Sequence, residues 1–274
     1  MGRKLIVNAD DLGLSPEINE GIARVIRQGI VQSVSVAANG LYFDDAVKIL
    51  SHNHLSVGVH LNIIEGKPLS APEDIRFLLN SQGQFNGRLA NTLYLLFLKA
   101  CCNNLSSVRN EFRLQIIRLL DCGIVVTHLD SHRHLHMFPP LFKIVVDLAV
   151  EFKIPFIRLT QENPFPPGNG LCKILLCNPC ASLVKHYFSG GGISCAQRVL
   201  AFRYTGRLNM KNLANIIKYG GNGVTELIVH PYFSINDKPN SAHSLELGAL
   251  MSRELKESAL RKEPGLLGSF SDLV

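Results

Sequence analysis

The sequence predicts an α/β protein whose parallel strands form a distorted (β/α) barrel of the TIM-like type. Strand-like and helix-like segments alternate along the 274 residues, and roughly seven or eight such units fit a barrel of this length. An open, doubly wound sheet is the alternative, but the chain carries no glycine-rich nucleotide-binding motif. We expect one domain over residues 1–274, with an irregular insertion at about 63–104 that covers one rim of the barrel.

The first strand and the first helix have clear boundary signals. Lys4–Val7 is a short run of strand-forming residues. Ser15 followed by Pro16 is typical of a helix start, and Gly29 stands where glycine commonly ends a helix. Between them, apolar residues recur at helical spacing, namely Ile18, Ile22, Val25 and Ile26.

The later elements follow the same alternation, so the carboxyl ends of the strands should gather at one end of the barrel. We predict strands at Val31–Val36, Leu55–His60, Ile124–Leu129, Phe156–Leu159, Val199–Phe202, Glu226–Val229 and Gly268–Phe270. We predict helices at Asp44–Leu50, Ser106–Leu120 and Pro140–Phe152, near Met210–Lys218 and at Leu245–Leu260.

Composition excludes several classes of protein. Apolar residues make up 46% of the chain and charged residues 18%, whereas a disordered chain combines low hydrophobicity with high charge. The formal charge is +6 without a block of like charges, so we expect no nucleic-acid partner. No apolar run approaches the ~18 residues of a membrane span, so we expect no stable membrane insertion.

The seven cysteines and the amino terminus predict a cytoplasmic protein. An odd cysteine count without a secretory signal favours a reducing compartment. The spacing of Cys172, Cys177 and Cys180 matches one iron–sulfur pattern, but their apolar surroundings favour buried thiols instead.

Ionisable residues follow four of the predicted strands. Asp10 and Asp11 come after the first strand, and His60 and His230 each end a later one. A further strand leads into a dense histidine cluster, which contains His128, His132, His134 and His136. Because active sites of parallel α/β folds lie at the carboxyl ends of the strands, these groups should share one site.

Such a site suits metal-dependent hydrolysis. One aspartate and two histidines recur as ligands of a divalent ion with open positions, and that ion polarises a carbonyl group and activates water. Hydrolysis also needs a base and an acid, for which Asp10 and His230 are the candidates. One or two histidines of the cluster should ligate the ion, while the others form hydrogen bonds to the ligating residues or to the substrate. The roles of His128, His134 and His136 stay open at this stage.

Four motifs together resemble the YdjC-like carbohydrate deacetylases. They are Asn8–Gly13, Ser33–Ser35 with Asn39-Gly40, Gly58–Leu61 and Thr127–His136. The resemblance runs from residue 4 to about 160, resumes at Ile228–Tyr232 and returns in the tail Leu245–Val274. It implies a distorted β/α barrel that removes the N-acetyl group from a sugar in a metal-dependent reaction.

The resemblance also implies roles for individual residues. Asp11, His60 and His132 match the metal ligands, Asp10 matches the base, and His230 matches a second catalytic histidine. It implies one divalent ion, magnesium or a similar one, although two histidines suit zinc or another transition metal equally well. It is compatible with a homodimer, because members of the family tend to associate.

Two other functions remain open from the sequence. One is a different metal-dependent hydrolase such as a phosphoesterase, although two-metal phosphoesterases usually need more carboxylates. The other is a catalytically idle sugar-binding protein. The segments Ile63–Asn104 and Gln161–Ala196 should shape the substrate pocket, and the absence of tryptophan favours a small or lipid-linked glycan over a long polysaccharide.

Overall fold

The fold is built on one curved, parallel β-sheet. The computed structural model describes residues 3–162, 171–188, 192–205, 208–219, 222–238, 241–253, 257 and 265–273. Seven strands follow the order β5-β4-β3-β2-β1-β7-β6, and β8 pairs with the start of β1. Their bounds are β1 Lys4–Leu12, β2 Ser33–Val36, β3 Ser56–Leu61, β4 Val126–Ser131, β5 Phe156–Ile157, β6 Arg198–Leu200, β7 Val224–Val229 and β8 Leu267–Gly268.

Helices connect the strands and cover the outside of the sheet. They are α1 Pro16–Gln28, α2 Phe43–Ser51, α3 Pro72–Ile75, α4 Leu89–Cys101, α5 Ser106–Leu120, α6 Pro139–Glu151, α7 Leu171–Val184, α8 Met210–Tyr219 and α9 Ala242–Leu250. The predicted boundaries of α1 are confirmed, because the Ser15 hydroxyl accepts a hydrogen bond from the Ile18 amide at 3.2 Å and Gly29 is left-handed with φ 69°. Within the described residues, none of these helices combines the length and the apolar character that a membrane span requires.

The two edges of the sheet are joined by backbone hydrogen bonds at Ser194. The Ser194 amide donates to the Pro155 carbonyl at 2.8 Å, and the Ile157 amide donates to the Ser194 carbonyl at 3.0 Å. A few residues later the same chain forms β6 at the opposite edge. The predicted α/β fold with a distorted barrel is therefore confirmed, with β5 and β6 connected through this bridge instead of a full ladder.

The interior of the barrel is layered. Apolar side chains fill the end where the strands begin, and this plug consists of Ile6, Phe156, Ala196, Val224 and Phe270. Because side chains alternate along a strand, the next inward positions of β1 are Asn8 and Asp10. Both are buried, so the carboxyl-terminal half of the interior is polar. The larger apolar core lies outside the sheet, beneath the helices.

Several predicted elements differ from the structure. The segment at 63–104 contains α3 and α4 instead of being irregular, and α7 lies within Gln161–Ala196, for which no helix was predicted. The predicted strand Val199–Phe202 is shorter, because a 3-10 helix begins at Phe202. The predicted helix Leu245–Leu260 corresponds to α9, which ends at Leu250, while residues 254–256 and 258–264 lie outside the described part.

Candidate metal and catalytic site

Asp11 stands in a strained backbone conformation at the end of β1. Its φ is 73°, in the left-handed region that non-glycine residues rarely adopt, and such strain often accompanies a functional site. This turn of the backbone separates the two neighbouring carboxylates. Asp10 lies inside the barrel, whereas Asp11 lies beside His60 and His132.

Three of the predicted site residues converge. Asp11 Oδ1 lies 3.1 Å from His60 Nε2 and 2.8 Å from His132 Nδ1. One ligand atom from each of the three residues falls within 4.8 Å of the others, so the group could hold a metal ion. The donor set of one carboxylate and two imidazoles fits a divalent ion. The buried Nε2 of His132, which has no hydrogen bond within the described structure, also leaves a nitrogen available.

The three residues form a charged cluster. Burial alone raises the pKa of Asp11, but His132 and His60 lower it well below its usual value. Burial lowers the pKa of His60, but Asp130 and Asp11 raise it well above the ordinary value. Burial also lowers the pKa of His132, but the neighbouring Asp11 carboxylate outweighs this effect and raises the pKa to about 9. Asp11 therefore stays ionised, and its negative charge stabilises positive charge on the two imidazoles beside it.

His132 opens a short 3-10 helix, His132–Met137, with unusual backbone geometry. Arg133 and His134 both have positive φ values, of 55° and 56°. The Arg133 guanidinium donates to Glu65 Oε1 at 2.9 Å, and the same oxygen lies 3.4 Å from His132 Nε2. Glu65 was not predicted as a site residue, and it adds a half-exposed carboxylate at the mouth of the site.

Asp10 is held by a buried arginine. Arg158 donates from Nη1 to Asp10 Oδ2 at 2.7 Å and from Nη2 to Asp10 Oδ1 at 2.8 Å. Asn8 donates a further bond of 2.8 Å to Oδ1. Asp10 is 1% exposed, yet it lines the pocket described below.

Two more carboxylates share the same guanidinium. Arg158 Nη1 lies 2.6 Å from Asp130 Oδ2, and Arg158 Nε donates to Glu226 Oε1 at 2.8 Å. Burial opposes the charge of Arg158, but the three carboxylates raise its pKa well above the usual value. Burial raises the pKa of Glu226 to about 7, because Arg158 offsets only part of the desolvation.

Asp130 connects this network to Asp11, His60 and His132, which we call the metal-type cluster. Its Oδ1 lies 2.8 Å from His60 Nδ1, and its Oδ2 accepts a bond of 2.8 Å from the Ser35 hydroxyl. Burial raises the pKa of Asp130, but Arg158 and His60 lower it far below the usual range. Asp130 therefore orients the imidazole of His60, as carboxylates commonly do for metal-ligating histidines.

The other histidines of the cluster have separate environments. His128 lies deep in the barrel, where its ring stacks on Phe270, and burial lowers its pKa to about 4. His136 pairs with Ser131 Oγ at 2.6 Å and with the Arg158 carbonyl at 2.9 Å, contacts that fix the local backbone. Of these three histidines, His134 alone lines the pocket of the described residues, and its Nδ1 lies 3.0 Å from the Thr160 hydroxyl.

His230 follows β7 and completes the set of predicted residues. Its backbone amide donates to Glu246 Oε1 at 2.7 Å, which fixes the start of the loop. Its Nδ1 is buried without a hydrogen-bond partner in the described part of the chain. The imidazole lines the same pocket as Asp10, Asp11, His60 and His132.

The pocket above these residues has a volume of about 570 Å³. This is within the range of sites that bind small molecules. The polar residues just described form one part of the lining. The rest of the described lining comes mainly from α4, α7, the later residues of the 3-10 helix His132–Met137 and the 3-10 helix Phe202–Tyr204.

The fold and the site together define an α/β barrel with a cluster of metal-type ligands at the carboxyl ends of its strands. A solved structure from Enterococcus faecalis, named for cellobiose-phosphate cleavage, has the same fold. It covers 100% of both chains with a TM-score of 0.75 at 23% identity. A model of the YdjC-like protein family matches residues 4–261, and the chain belongs to that family.

Curated relatives carry the name carbohydrate deacetylase. The protein from Clostridium beijerinckii is 37% identical over 153 residues, which is 56% of this chain and 58% of the relative. The protein from Thermoanaerobacter pseudethanolicus is 26% identical over 230 residues, 84% of this chain and 81% of the relative. The more similar of the two is thus matched over little more than half of its length.

Proposed function

We propose that this protein is a hydrolase that uses one divalent ion to remove the N-acetyl group from an acetylated amino sugar. The observation that carries the proposal is the convergence of Asp11, His60 and His132 next to the buried Asp10. Membership of the YdjC-like family, in which relatives are named carbohydrate deacetylases, supports this reaction over other metal-dependent hydrolyses.

Asp11, His60 and His132 would hold the ion. When bound, a divalent ion there supplies a Lewis acid that polarises the amide carbonyl and makes water more acidic. Two imidazoles suit zinc or another transition metal, while the family resemblance favours magnesium. Asp130 would keep the His60 ring in the ligating orientation through its 2.8 Å contact with Nδ1.

Asp10 would act as the general base. It takes the proton from the attacking water, and Arg158 and Asn8 fix its orientation with three hydrogen bonds of 2.7–2.8 Å. Each carboxylate oxygen accepts about two bonds, so Oδ2, which accepts one hydrogen bond from Arg158, retains capacity for a proton. A base that is held rigidly needs little reorganisation free energy when the reaction occurs.

His230 would act as the general acid. The departing amine needs a proton when the amide C–N bond breaks, and an imidazole is well suited to supply it near neutral pH. The proposal draws support from the position of His230 in the pocket and from its buried Nδ1, which has no hydrogen-bond partner among the described residues. The bond from its backbone amide to Glu246 holds the residue in place while the imidazole stays available.

The test is a screen for acetate release. The chelated protein is incubated with N-acetylated mono- and oligosaccharides and with lipid-linked N-acetylglucosamines, and divalent ions are added back one at a time. We expect acetate from at least one substrate, restored by a single type of ion and abolished by Asp11→Ala. Failure of every substrate and ion, or release of phosphate from phosphorylated sugars in the same assay, would contradict the proposal.

A further inference from the structure

The pocket has two chemically different halves. The polar half contains the metal-type cluster with Asp10 and His230. The rest of the described lining is largely apolar, and this apolar half has a wall of Leu89, Leu93, Leu135, Met137, Phe138 and Phe202. The residues of this apolar half take no part in the reaction proposed above, so they are available to contact the part of the substrate that does not react.

The apolar wall continues along α4 to the surface. Leu89 and Leu93 line the pocket, and Phe97 follows one turn later at the same spacing of four residues. Residues four apart lie on one face of a helix, so these three side chains form a continuous stripe. Phe97 is 56% exposed, and beside it Tyr94 is 60% exposed, so the stripe leads from the pocket into solvent.

Helix α7 adds a second apolar side. Cys177 and Cys180 line the pocket, and thiols in such positions behave as small apolar groups. Burial raises the pKa of Cys180, which keeps that thiol neutral. Leu183, three residues beyond Cys180 on the same helix, is 62% exposed. Both helices that form the pocket wall therefore also carry exposed apolar residues.

A second sugar ring does not match this wall. Sugar hydroxyls lose hydrogen bonds to water on binding and need polar partners in the protein. Among the described residues, the metal-type cluster, its neighbour His134 and the two candidate catalytic residues account for most of the polar lining, which otherwise consists of Glu65, Arg133 and Thr205, and the first two are paired with each other. A hydrocarbon chain, in contrast, gains free energy by leaving water for these side chains.

We propose that the apolar half of the pocket binds the hydrocarbon chain of a lipid-linked amino sugar. The inference rests on the proposed function, because that function places the N-acetyl group at Asp11, His60 and His132. The chain then runs past Leu89 and Leu93 and leaves along Phe97. The continuity of the wall with the reaction site favours this occupant over a second copy of the protein, which would cover the outer face of α4 but not reach Leu89.

The first experiment uses substrates that differ only in the length of an alkyl chain. Methyl, butyl, hexyl and octyl glycosides of N-acetylglucosamine are compared below their micellar concentrations, with kcat/KM for acetate release as the measurement. We expect kcat/KM to rise by up to about fourfold for each methylene group until the wall is filled. A hydrophilic pocket would give equal values across the series.

Variants of the wall test whether it causes the dependence of kcat/KM on chain length. Leu93→Asn places a polar group in the wall, and Phe97→Ser shortens the stripe at the surface. We expect the octyl-to-methyl ratio of kcat/KM to fall about tenfold in Leu93→Asn and by a smaller factor in Phe97→Ser. Val125→Asn is the matched control, because Val125 is 80% exposed and precedes β4 at the opposite end of the barrel. Its octyl-to-methyl ratio should equal that of the unmodified protein.

A binding measurement separates this inference from the proposed function. Alkyl glucosaminides, which lack the acetyl group, are titrated into the protein in a calorimeter. Affinity that rises with chain length and is lost in Leu93→Asn supports the apolar subsite even if acetate release fails. Acetate release that does not depend on chain length overturns the subsite and leaves the proposed function intact. A change of molecular mass in solution on Phe97→Ser, without a change in the ratio, also overturns it by assigning the stripe to a contact between copies.

Discussion

Arg158 and Asp10 are joined by two hydrogen bonds of 2.7 and 2.8 Å in the interior of the barrel. The arginine side chain is fully buried, and it also contacts Asp130 and Glu226. One guanidinium thus stabilises three carboxylates that come from β1, β4 and β7. A buried charge without its partner is costly, so the network depends on Arg158 more than on any one acid.

We therefore expect Arg158→Gln to lower the free energy of unfolding by about 3–5 kcal/mol, the cost of breaking a buried ion pair. Urea unfolding followed by circular dichroism measures the change. Arg109→Gln is the control, because Arg109 pairs with Glu151 on the surface and is 41% exposed. An exposed pair of this kind contributes about 0–1 kcal/mol. Equal stability of the two variants would contradict the assignment of Arg158 to a buried network.

Asp10→Asn tests the role of the base. The amide keeps the size of the side chain and still accepts hydrogen bonds, but it does not take a proton from water. We expect the metal content to stay unchanged while kcat for acetate release falls at least ~10²-fold. The metal content of the dialysed variant is measured on the same sample as kcat. Full activity of Asp10→Asn would remove Asp10 from the mechanism.

His60→Ala and His132→Ala should behave differently from Asp10→Asn. Each removes a proposed ligand, so both bound metal and activity should be lost, and elemental analysis per chain provides the count. His186→Ala is the matched control, because His186 lies in the exposed 3-10 helix Lys185–Phe188. One ion per chain supports the proposed deacetylase, whereas two ions would favour phosphoester chemistry.

The candidate site was easier to predict from the sequence than the network that supports it. Asp10, Asp11, His60 and His230 each follow an apolar strand, and the common geometry of parallel strands is enough to gather such residues at one end. Arg158 follows the short strand β5 without any local signal. Its importance depends on carboxylates as far as 148 positions away, which only the closed arrangement of the strands reveals.

Some helices can be predicted from the local spacing of apolar residues, whereas others depend on tertiary packing. The apolar face of Ser106–Leu120 has helical spacing, and α5 has the predicted bounds. In α4 the run Leu93–Leu98 is apolar on all sides, so no periodicity identifies a helix there. Leu96 is buried against the core while Phe97 is exposed beside the pocket, a difference that depends on tertiary packing.

Glu226 provides a prediction for pH. Burial raises its pKa to about 7, above the ordinary 4.5, so the folded state binds the proton more tightly than the unfolded state. The folded state therefore carries no penalty from Glu226 below about pH 4.5, and the penalty grows as pH rises through about 7. Glu226→Gln removes the titration. We expect the stability of Glu226→Gln relative to the unmodified protein to increase between pH 5 and pH 8, by at most about 3 kcal/mol. A difference that is constant over this range would contradict the raised pKa.

Gly58 tests the packing inside the barrel. A Cβ atom on Gly58 would lie 2.3 Å from His128 Nε2, far closer than atoms in contact. The His128 ring has little freedom to move, because it stacks on Phe270 and lies 2.9 Å from the Thr127 hydroxyl. We expect Gly58→Ala to lower the free energy of unfolding by about 1–3 kcal/mol, the usual cost of overpacking.

Two further variants give this prediction a sharp control. Gly248→Ala in α9 places a Cβ atom where no atom lies within 4 Å, and alanine favours a helix over glycine by about 0.5–1 kcal/mol. That variant should therefore be as stable as the unmodified protein or more so. Removing the obstructing ring with His128→Ala should make the added cost of Gly58→Ala smaller, because the two residues compete for one space. If the costs of Gly58→Ala and His128→Ala simply add in urea unfolding, the close approach of the two residues is not what requires glycine at position 58.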